Sequence, residues 1–255
     1  MTRPLFFAPA ADVQAARPGA VFVLGGDEGR HAATVRRLTV GERIDISDGD
    51  GARLGGVIAA VGAGTVELVI ETTERDPSPR HRLVLVQALA KGGRDEQAVE
   101  AATELGVDAV VPWHAERSIV RWRGDKAEKG RQKWATLVGA ASKQSRRSFV
   151  PDVHPVLDTA GLAVWAASID HVLVLHEDAD LALAGRAVAI GAEPAGGGPV
   201  TTAVVVGPEG GISDTEVARL AAAGAGTVRL GPHVLRSSSA GPAALVLLNQ
   251  LLGRW

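Results

Sequence analysis

The chain has no cysteine and no tyrosine, a single methionine, and only four phenylalanines and five tryptophans among 255 residues. Without cysteine there can be no disulfide, no thiolate nucleophile, no cysteine-ligated zinc and no iron–sulfur cluster. So few aromatic rings argue against a platform on which successive nucleic-acid bases stack. No stretch approaches the roughly 18 consecutive apolar residues of a membrane helix, and the apolar start at residues 4–10 is too short for a signal peptide. A soluble, cytoplasmic protein with no membrane partner is expected. His233 has no partner at metal-ligand spacing, and Asp48 and Asp50 lack the glutamate that closes a calcium loop, so no metal is expected. Neither a dinucleotide fingerprint nor a phosphate-binding Walker loop nor a hydrolase nucleophile elbow occurs. A nicotinamide dehydrogenase, the first thought for an α/β chain, is thereby disfavoured.

What is present is an ordinary globular composition, 46% hydrophobic and 22% charged, long enough for one large domain or two unequal ones. The net charge of −2 hides a strong asymmetry. Residues 117–147 carry ten basic and two acidic side chains, a segment of +8 on a body of −10. A local excess of this size can bind a polyanion even when the whole chain is near neutral, because neutralising phosphates is a local matter. The bland alternative is a solvated helix face.

Residues 1–72 read as β-rich, with short strands expected at 21–24, 43–47, 54–61 and 65–70 and turn chemistry at Asp48-Gly-Asp-Gly51. The charged, proline-containing segment 73–80 is the expected linker. From His81 onward, strand and helix alternate, with strands expected at 83–89, 109–113, 171–175, 202–206 and 227–230. That rhythm argues for a mainly parallel α/β sheet covered on both faces. A helix is expected over 94–105. Another over 124–147 would carry Lys126, Lys129, Lys133, Lys143 and Arg147 in one stripe, with Gly130 and Gly139 as possible breaks. The only low-complexity patch is 194–199.

In such sheets ligands sit beyond the carboxyl ends of strands, so the loops there are the place to look for chemistry. Gly207-Pro-Glu-Gly-Gly-Ile-Ser213 leaves an apolar strand and enters a helix through the capping-box pattern Ser213/Glu216. Leu230-Gly-Pro-His-Val-Leu-Arg236 leads through Ser237, Ser238 and Ser239 to an apolar helix expected at 243–252. The serines are candidate caps, and Arg236 at a glycine-containing loop is a candidate anion or carbonyl ligand.

The two loops, in this order and spacing, resemble the cofactor-binding motifs of the RsmE family of RNA methyltransferases in the SPOUT superfamily. Thr103-Glu-Leu-Gly-Val107, Pro112 with Arg117-Ser118, Lys143-Gln-Ser-Arg146, and His31 with Val35-Arg36 and Gly41 extend the resemblance over nearly the whole chain. It implies a small N-terminal PUA-like β-barrel at 1–72 that helps hold RNA, the linker 73–80, and an α/β SPOUT methyltransferase domain at 81–255, trefoil-knotted by family resemblance. It also implies a homodimer that methylates N3 of one uridine in 16S ribosomal RNA of the small subunit, with S-adenosyl-L-methionine as donor. Donor contacts are then expected from Leu175, His176, Glu177, Gly207, Pro208, Glu209, Gly210, Gly211, Leu230, Gly231, Pro232, Val234, Leu235 and Ser238. RNA contacts are expected from Arg3, His31, Arg36, Arg117, Arg121, Arg123, Lys126, Lys133, Lys143, Gln144 and Arg147. Arg236 is the main catalytic candidate, with Arg117 and Arg147 as further cations for the uracil anion. Glu209 is a candidate base, with capping of its own turn as the alternative.

Three departures from the family pattern stand out. Ser237-Ser238-Ser239 replaces a common Thr-Glu-Thr, Ala101 stands where a lysine often precedes the Thr-Glu-Leu-Gly segment, and Arg146 occupies a position that is frequently glycine. Neither a carboxylate at 238 nor an amine at 101 can then be indispensable if the chain is active. The competing functions are methylation of another RNA site, such as a ribose 2′-hydroxyl, and a non-catalytic RNA-binding or ribosome-assembly factor.

Overall fold

The computed structural model describes residues 3–192 and 198–255, so residues 194–197 of the low-complexity patch lie outside the described residues. The chain divides into two compact units, 1–78 with 142–150, and 79–141 with 151–255.

The first unit contains β1 (Leu5–Phe7), α1 (Ala10–Ala15), β2 (Val21–Leu24), α2 (Gly26–Arg30) running on into a π-helical turn at His31–Val35, β3 (Arg43–Ser47), β4 (Ala52–Val61) and β5 (Val66–Arg75). The strands pair in the order β1-β3-β4-β5-β2, with β1 parallel to β3 and the remaining pairs antiparallel. Alternation decides which side faces inward. Val66, Leu68 and Ile70 of β5 are buried while Glu67, Val69 and Glu71 are exposed, and Ile44 and Ile46 of β3 join the same core with Phe6 and Phe22. Each fully buried side chain of this size contributes roughly 1.5–3 kcal/mol. The expected turn is built as an Asx turn, Asp48 Oδ1 accepting from the amides of Asp50 at 2.8 Å and Ala52 at 3.0 Å.

Two features differ from the reading of the sequence. Strand β5 continues to Arg75, pairing Thr73, Glu74 and Arg75 with β4, so the expected linker begins within a strand. Its exposed charges mask the periodicity there. Residues 142–150, expected as part of the second domain, belong to the first unit. Backbone bonds explain it: Gly51 N donates to Ser148 O at 3.1 Å and Val150 N to Gly49 O at 2.9 Å, while Ser47 Oγ donates to Ser148 O at 2.9 Å. Phe149 fills the space beside Gly51, which sits at φ +94°.

The second unit contains β6 (His81–Ala88), a 3-10 turn at Lys91–Gly93, α3 (Arg94–Glu104), β7 (Ala109–His114), α4 (Asp125–Ser145, whose last four residues fall in the first unit), β8 (Asp152–Val153), β9 (Leu157–Asp158), α5 (Thr159–Ala166), β10 (His171–Leu175), α6 (Leu183–Gly191), β11 (Val200–Val206), α7 (Asp214–Ala222), β12 (Gly226–Val228) and α8 (Ser237–Leu251). The sheet is entirely parallel, ordered β12-β10-β11-β6-β7-β8, with β9 also pairing β7. One face packs Val84, Val86, Val111, Trp113, Val174 and Val205 against Leu162 of α5 and Leu220 of α7. The other face carries α3, α6 and α8. There Gly241 lets α8 approach Leu85 so closely that a β-carbon would stand 2.7 Å from its Cδ1. Both faces being covered accounts for the continuous apolar runs seen in the sequence.

Helix α4 is unbroken at Gly130 and Gly139. Gly130 serves packing instead, since a β-carbon there would lie 2.5 Å from the Trp122 indole. Trp122 stands edge-on to the buried Trp134 with ring centroids 5.3 Å apart.

Candidate active site

The sheet order reverses between β11 and β6. The chain steps outward from β6 to β7 on one side, and β11, β10 and β12 lie on the other. Loops diverge at such a point and leave a crevice beyond the carboxyl ends of the strands. A cavity of about 720 Å³ lies here, lined from the β10 end by Leu175, His176, Glu177 and Asp178, from the β11 end by residues 206–212 and Asp214, from the β12–α8 loop by residues 229–237, and by Ala240, Arg94 and Arg117.

Local chemistry explains why each wall holds its shape. Ser213 caps α7 through a full capping box, its hydroxyl accepting from Glu216 N at 3.3 Å while the Glu216 carboxylate accepts from Ser213 N at 3.1 Å. Glu216 is 3% exposed and also accepts from Thr159 Oγ1 at 2.7 Å and Glu116 N at 2.8 Å, so one buried carboxylate ties together α7, α5 and the loop after β7. Gly211 takes φ +76°, which lets the glycine loop turn into α7. The loops after β10 and β12 are laced by Arg229 N to Leu181 O at 2.8 Å, Leu183 N to Arg229 O at 2.9 Å and His176 N to Val228 O at 3.0 Å.

Every residue expected to contact the donor lines this cavity except Ser238. The adjacent Ser237 lines it instead, because α8 begins six residues earlier than its apolar pattern implied, with Pro242 inside it. That earlier start also corrects the serine-cap expectation. Arg236 is the N-cap residue, and among the described residues no side chain caps the helix and the buried Ser237 hydroxyl has no partner.

Arg236 lines the cavity, as does Glu209. Glu209 Oε1 lies 2.7 Å from Arg94 Nη1. Burial works against ionising this carboxyl, but its own backbone amide, the Arg94 guanidinium and the Lys91 amide outweigh it and hold the group below the usual carboxylate range. A carboxylate so held is a poor proton acceptor. Arg94, which starts α3, was not among the residues singled out from the sequence; nor were Asp178, Asp214 and Arg229, because nothing local distinguishes them.

The residues expected to meet RNA divide between the two units. In the second, Arg117 Nη1 donates to Gly210 O at 3.0 Å, which makes it part of the cavity wall. Arg121 spends its guanidinium on the carbonyls of Ala115 and Glu116, at 3.1 and 2.7 Å, bracing its own loop. His114 Nε2 accepts from Trp122 N at 2.6 Å in that loop, and burial, then Arg121 and Arg123, lowers its pKa. Arg123 and Lys126 are exposed, whereas Lys133 pairs with Glu96 at 2.5 Å. In the first unit, Lys143 pairs with Glu28, Arg3 lies 3.6 Å from Asp45, and His31 stacks edge-on against Phe6. Arg36 and Gln144 are exposed, and Arg147 is half-buried beyond the end of α4. The cationic stripe is thus partly consumed by internal ion pairs.

Residues 76–249 match the model of the RNA methyltransferase domain family, and residues 24–71 match that of the RNA methyltransferase PUA domain. The chain is 43% identical over 93% of its length to the ribosomal RNA small subunit methyltransferase E of Mycobacterium bovis, covering 89% of that protein. To the enzyme of that name in Bacillus subtilis it is 30% identical, over 89% of each chain. The crystal structure of a ribosomal RNA small subunit methyltransferase E from Neisseria gonorrhoeae bound to S-adenosyl methionine superposes with a TM-score of 0.81 at 25% identity, over 98% of each chain. On these grounds, and with the glycine loops of its sequence gathered around one cavity, the chain belongs to the ribosomal RNA small subunit methyltransferase E family.

Proposed function

We propose that this protein transfers a methyl group from S-adenosylmethionine to N3 of a uridine in 16S ribosomal RNA, acting as a homodimer on the small ribosomal subunit or its RNA. The observation that carries the reading is the cavity at the sheet's reversal point, walled by both glycine-containing loops. Its volume, about 720 Å³, suits a ligand of the donor's size. The residues present fit that ligand. Glu177 and Asp178 offer acceptors for hydroxyl or ammonium groups, the backbone of 207–211 and 230–235 offers amides and carbonyls, and the Ser237 hydroxyl is buried without a partner. When bound, the donor supplies a methyl carbon made electrophilic by its sulfonium.

The protein's part is to hold both reactants, exclude water and favour loss of the weakly acidic N3 proton. Positioning contributes much of the rate, and cations at the cavity stabilise charge as it develops on the base. Arg236 and Arg117 line the cavity and serve this purpose, whereas Arg147 lies in the other unit. The weak basicity of the Glu209 carboxylate argues for proton loss to solvent rather than to this residue. The uridine must be unpaired for N3 to be reached, and RNA is held through its phosphates by exposed cations such as Arg123 and Lys126. A second subunit would cover Val234 and Leu235, which are 75% and 42% exposed beside the cavity.

Calorimetry with S-adenosylmethionine and nucleoside analysis of small-subunit RNA with and without the gene test the reading together. Donor binding and a 3-methyluridine signal that vanishes with the gene are expected. Absence of donor binding favours the assembly-factor alternative, and a lost ribose methyl with intact 3-methyluridine favours the 2′-hydroxyl alternative.

A further inference from the structure

We propose that Arg94 stabilises the uracil anion during methyl transfer, alongside Arg236 and Arg117, and that Glu209 positions its guanidinium for that purpose. The inference rests on the uracil-N3 reading above and assigns that site a residue the motifs do not mark.

Sheet order gives the cavity two flanks. The loops after β10 and β12 form one, and the loops after β6 and β7 form the other, with the β11 loop between them. On the β6/β7 flank the charged side chains lining the cavity are Arg94 and Arg117, among the described residues. Both touch the central loop, Arg94 through the Glu209 carboxylate at 2.7 Å and Arg117 through the Gly210 carbonyl at 3.0 Å. Each arginine gives one Nη1 donor to that loop. Arg94 keeps most of its five donors, and its side chain is 37% exposed.

Local structure gives Arg94 no reason to be where it is. It is the first residue of α3, where the helix dipole disfavours a cation. Two consecutive glycines precede it, Gly92 at φ +68° and Gly93 at φ +71°, a backbone path that other residues resist. A chain that sets a cation against the helix dipole, after a turn that only glycines make easily, to deliver one guanidinium to a cavity wall has a use for it there. The partner is equally telling. Glu209 sits in the glycine loop, and its ion pair fixes where the planar fork points, as carboxylate–arginine pairs do.

The chemistry needs such a group. Uracil N3 gives its proton to solvent water, leaving negative charge shared by N3, O2 and O4. The freed pair on N3 forms the bond to the methyl carbon as the S–CH3 bond breaks, its electrons remaining on sulfur as a neutral thioether. A guanidinium beside a uracil oxygen lowers the barrier to the first step and holds the base through the second. The other ionisable groups around this flank are Asp214 at the start of α7, Asp95 and Lys91 beside Arg94 in sequence, and Arg236 and His233 from the α8 side. None changes in the variants below.

The test is single-turnover methylation of 16S RNA across pH by the full-length protein, with donor affinity from calorimetry and folding from thermal melts. Arg94→Gln is expected to lower the methyl-transfer rate about 100-fold, with its alkaline rise moved to higher pH and donor affinity kept. Glu209→Gln leaves the guanidinium unneutralised and is expected to move the same rise to lower pH, with a smaller loss of rate. Opposite shifts in the two variants are not produced by a merely structural role. A wild type that methylates N3 while Arg94→Gln matches it in rate and pH profile overturns this assignment alone. So does a loss that lies wholly in donor affinity or in melting temperature. A wild type that leaves N3 unmethylated overturns both this and the proposed function.

Discussion

Arg117 and Gly210 occupy one corner of the cavity so tightly that the arginine Nη1 bonds the glycine carbonyl at 3.0 Å and a β-carbon on Gly210 would stand 3.1 Å from Arg117 Cβ. Gly210→Ala therefore has to displace either the arginine or the loop by a few tenths of an ångström. Because misplacement of about 1 Å can lower a rate 100-fold, roughly tenfold loss in kcat/KM is expected here, with little change in melting temperature. Steady-state kinetics of the variant with 16S RNA checks this, and wild-type kinetics would show that the corner is not part of the working geometry.

Glu216 holds three elements at once, accepting from Thr159 Oγ1, Glu116 N and Ser213 N at 2.7, 2.8 and 3.1 Å. Glu216→Ala strands these donors inside the protein and is expected to destabilise the second unit by about 3 kcal/mol. Urea denaturation followed by circular dichroism measures it. A change below about 0.5 kcal/mol, the range of ordinary surface substitutions, would mean the cluster is not structural.

His114 must be neutral at Nε2 to accept the Trp122 amide. Burial, then Arg121 and Arg123, lowers its pKa from the ordinary value of 6.5. A histidine whose folded pKa is depressed contributes stability that is complete above its unfolded value and is lost as the pH falls through the folded one. The 114–122 loop is accordingly expected to loosen on the acid side of pH 6.5. Tryptophan fluorescence reports it through Trp122, which packs against Trp134. The transition should be missing in His114→Ala; an identical acid transition in that variant would assign it elsewhere.

Arg146 follows the end of α4 with φ +59°, a left-handed conformation that glycine accepts and a side chain resists. Arg146→Gly relieves that strain and is expected to raise stability by up to about 1 kcal/mol. Calorimetric melting of the two proteins is the comparison to make, and a lower midpoint in the variant would show that the arginine side chain stabilises the fold by more than its backbone strain costs.

Much of this architecture is written locally. Strand β10 falls on residues 171–175 as its apolar run implies, and the Ser213/Glu216 spacing forms the capping box it signals. Both depend on interactions within a few residues. The parts that escaped depend on distant partners. Strand β1 has three residues and exists by pairing with β3, so no period could announce it. Residues 142–150 look like the tail of a cationic helix, but Phe149 bridges to Asp50 and Ser148 bonds into the 47–51 turn. The cationic stripe was visible, yet Lys133 and Lys143 answer to Glu96 and Glu28, which lie far away in sequence. At the site, the glycine loops advertised themselves because glycine has few other reasons to cluster there. Arg94 did not, since its meaning comes from Glu209, 115 residues onward.

The central claim concerns one atom of one base. Purified protein, S-adenosylmethionine and small-subunit RNA or subunits lacking the modification should yield 3-methyluridine, detected by mass spectrometry of the nucleosides and assigned to a single nuclease fragment of 16S RNA. One new 3-methyluridine per RNA at a single position is the result this account requires. Methyl groups found on ribose, or none found under conditions where the donor is bound, would contradict it.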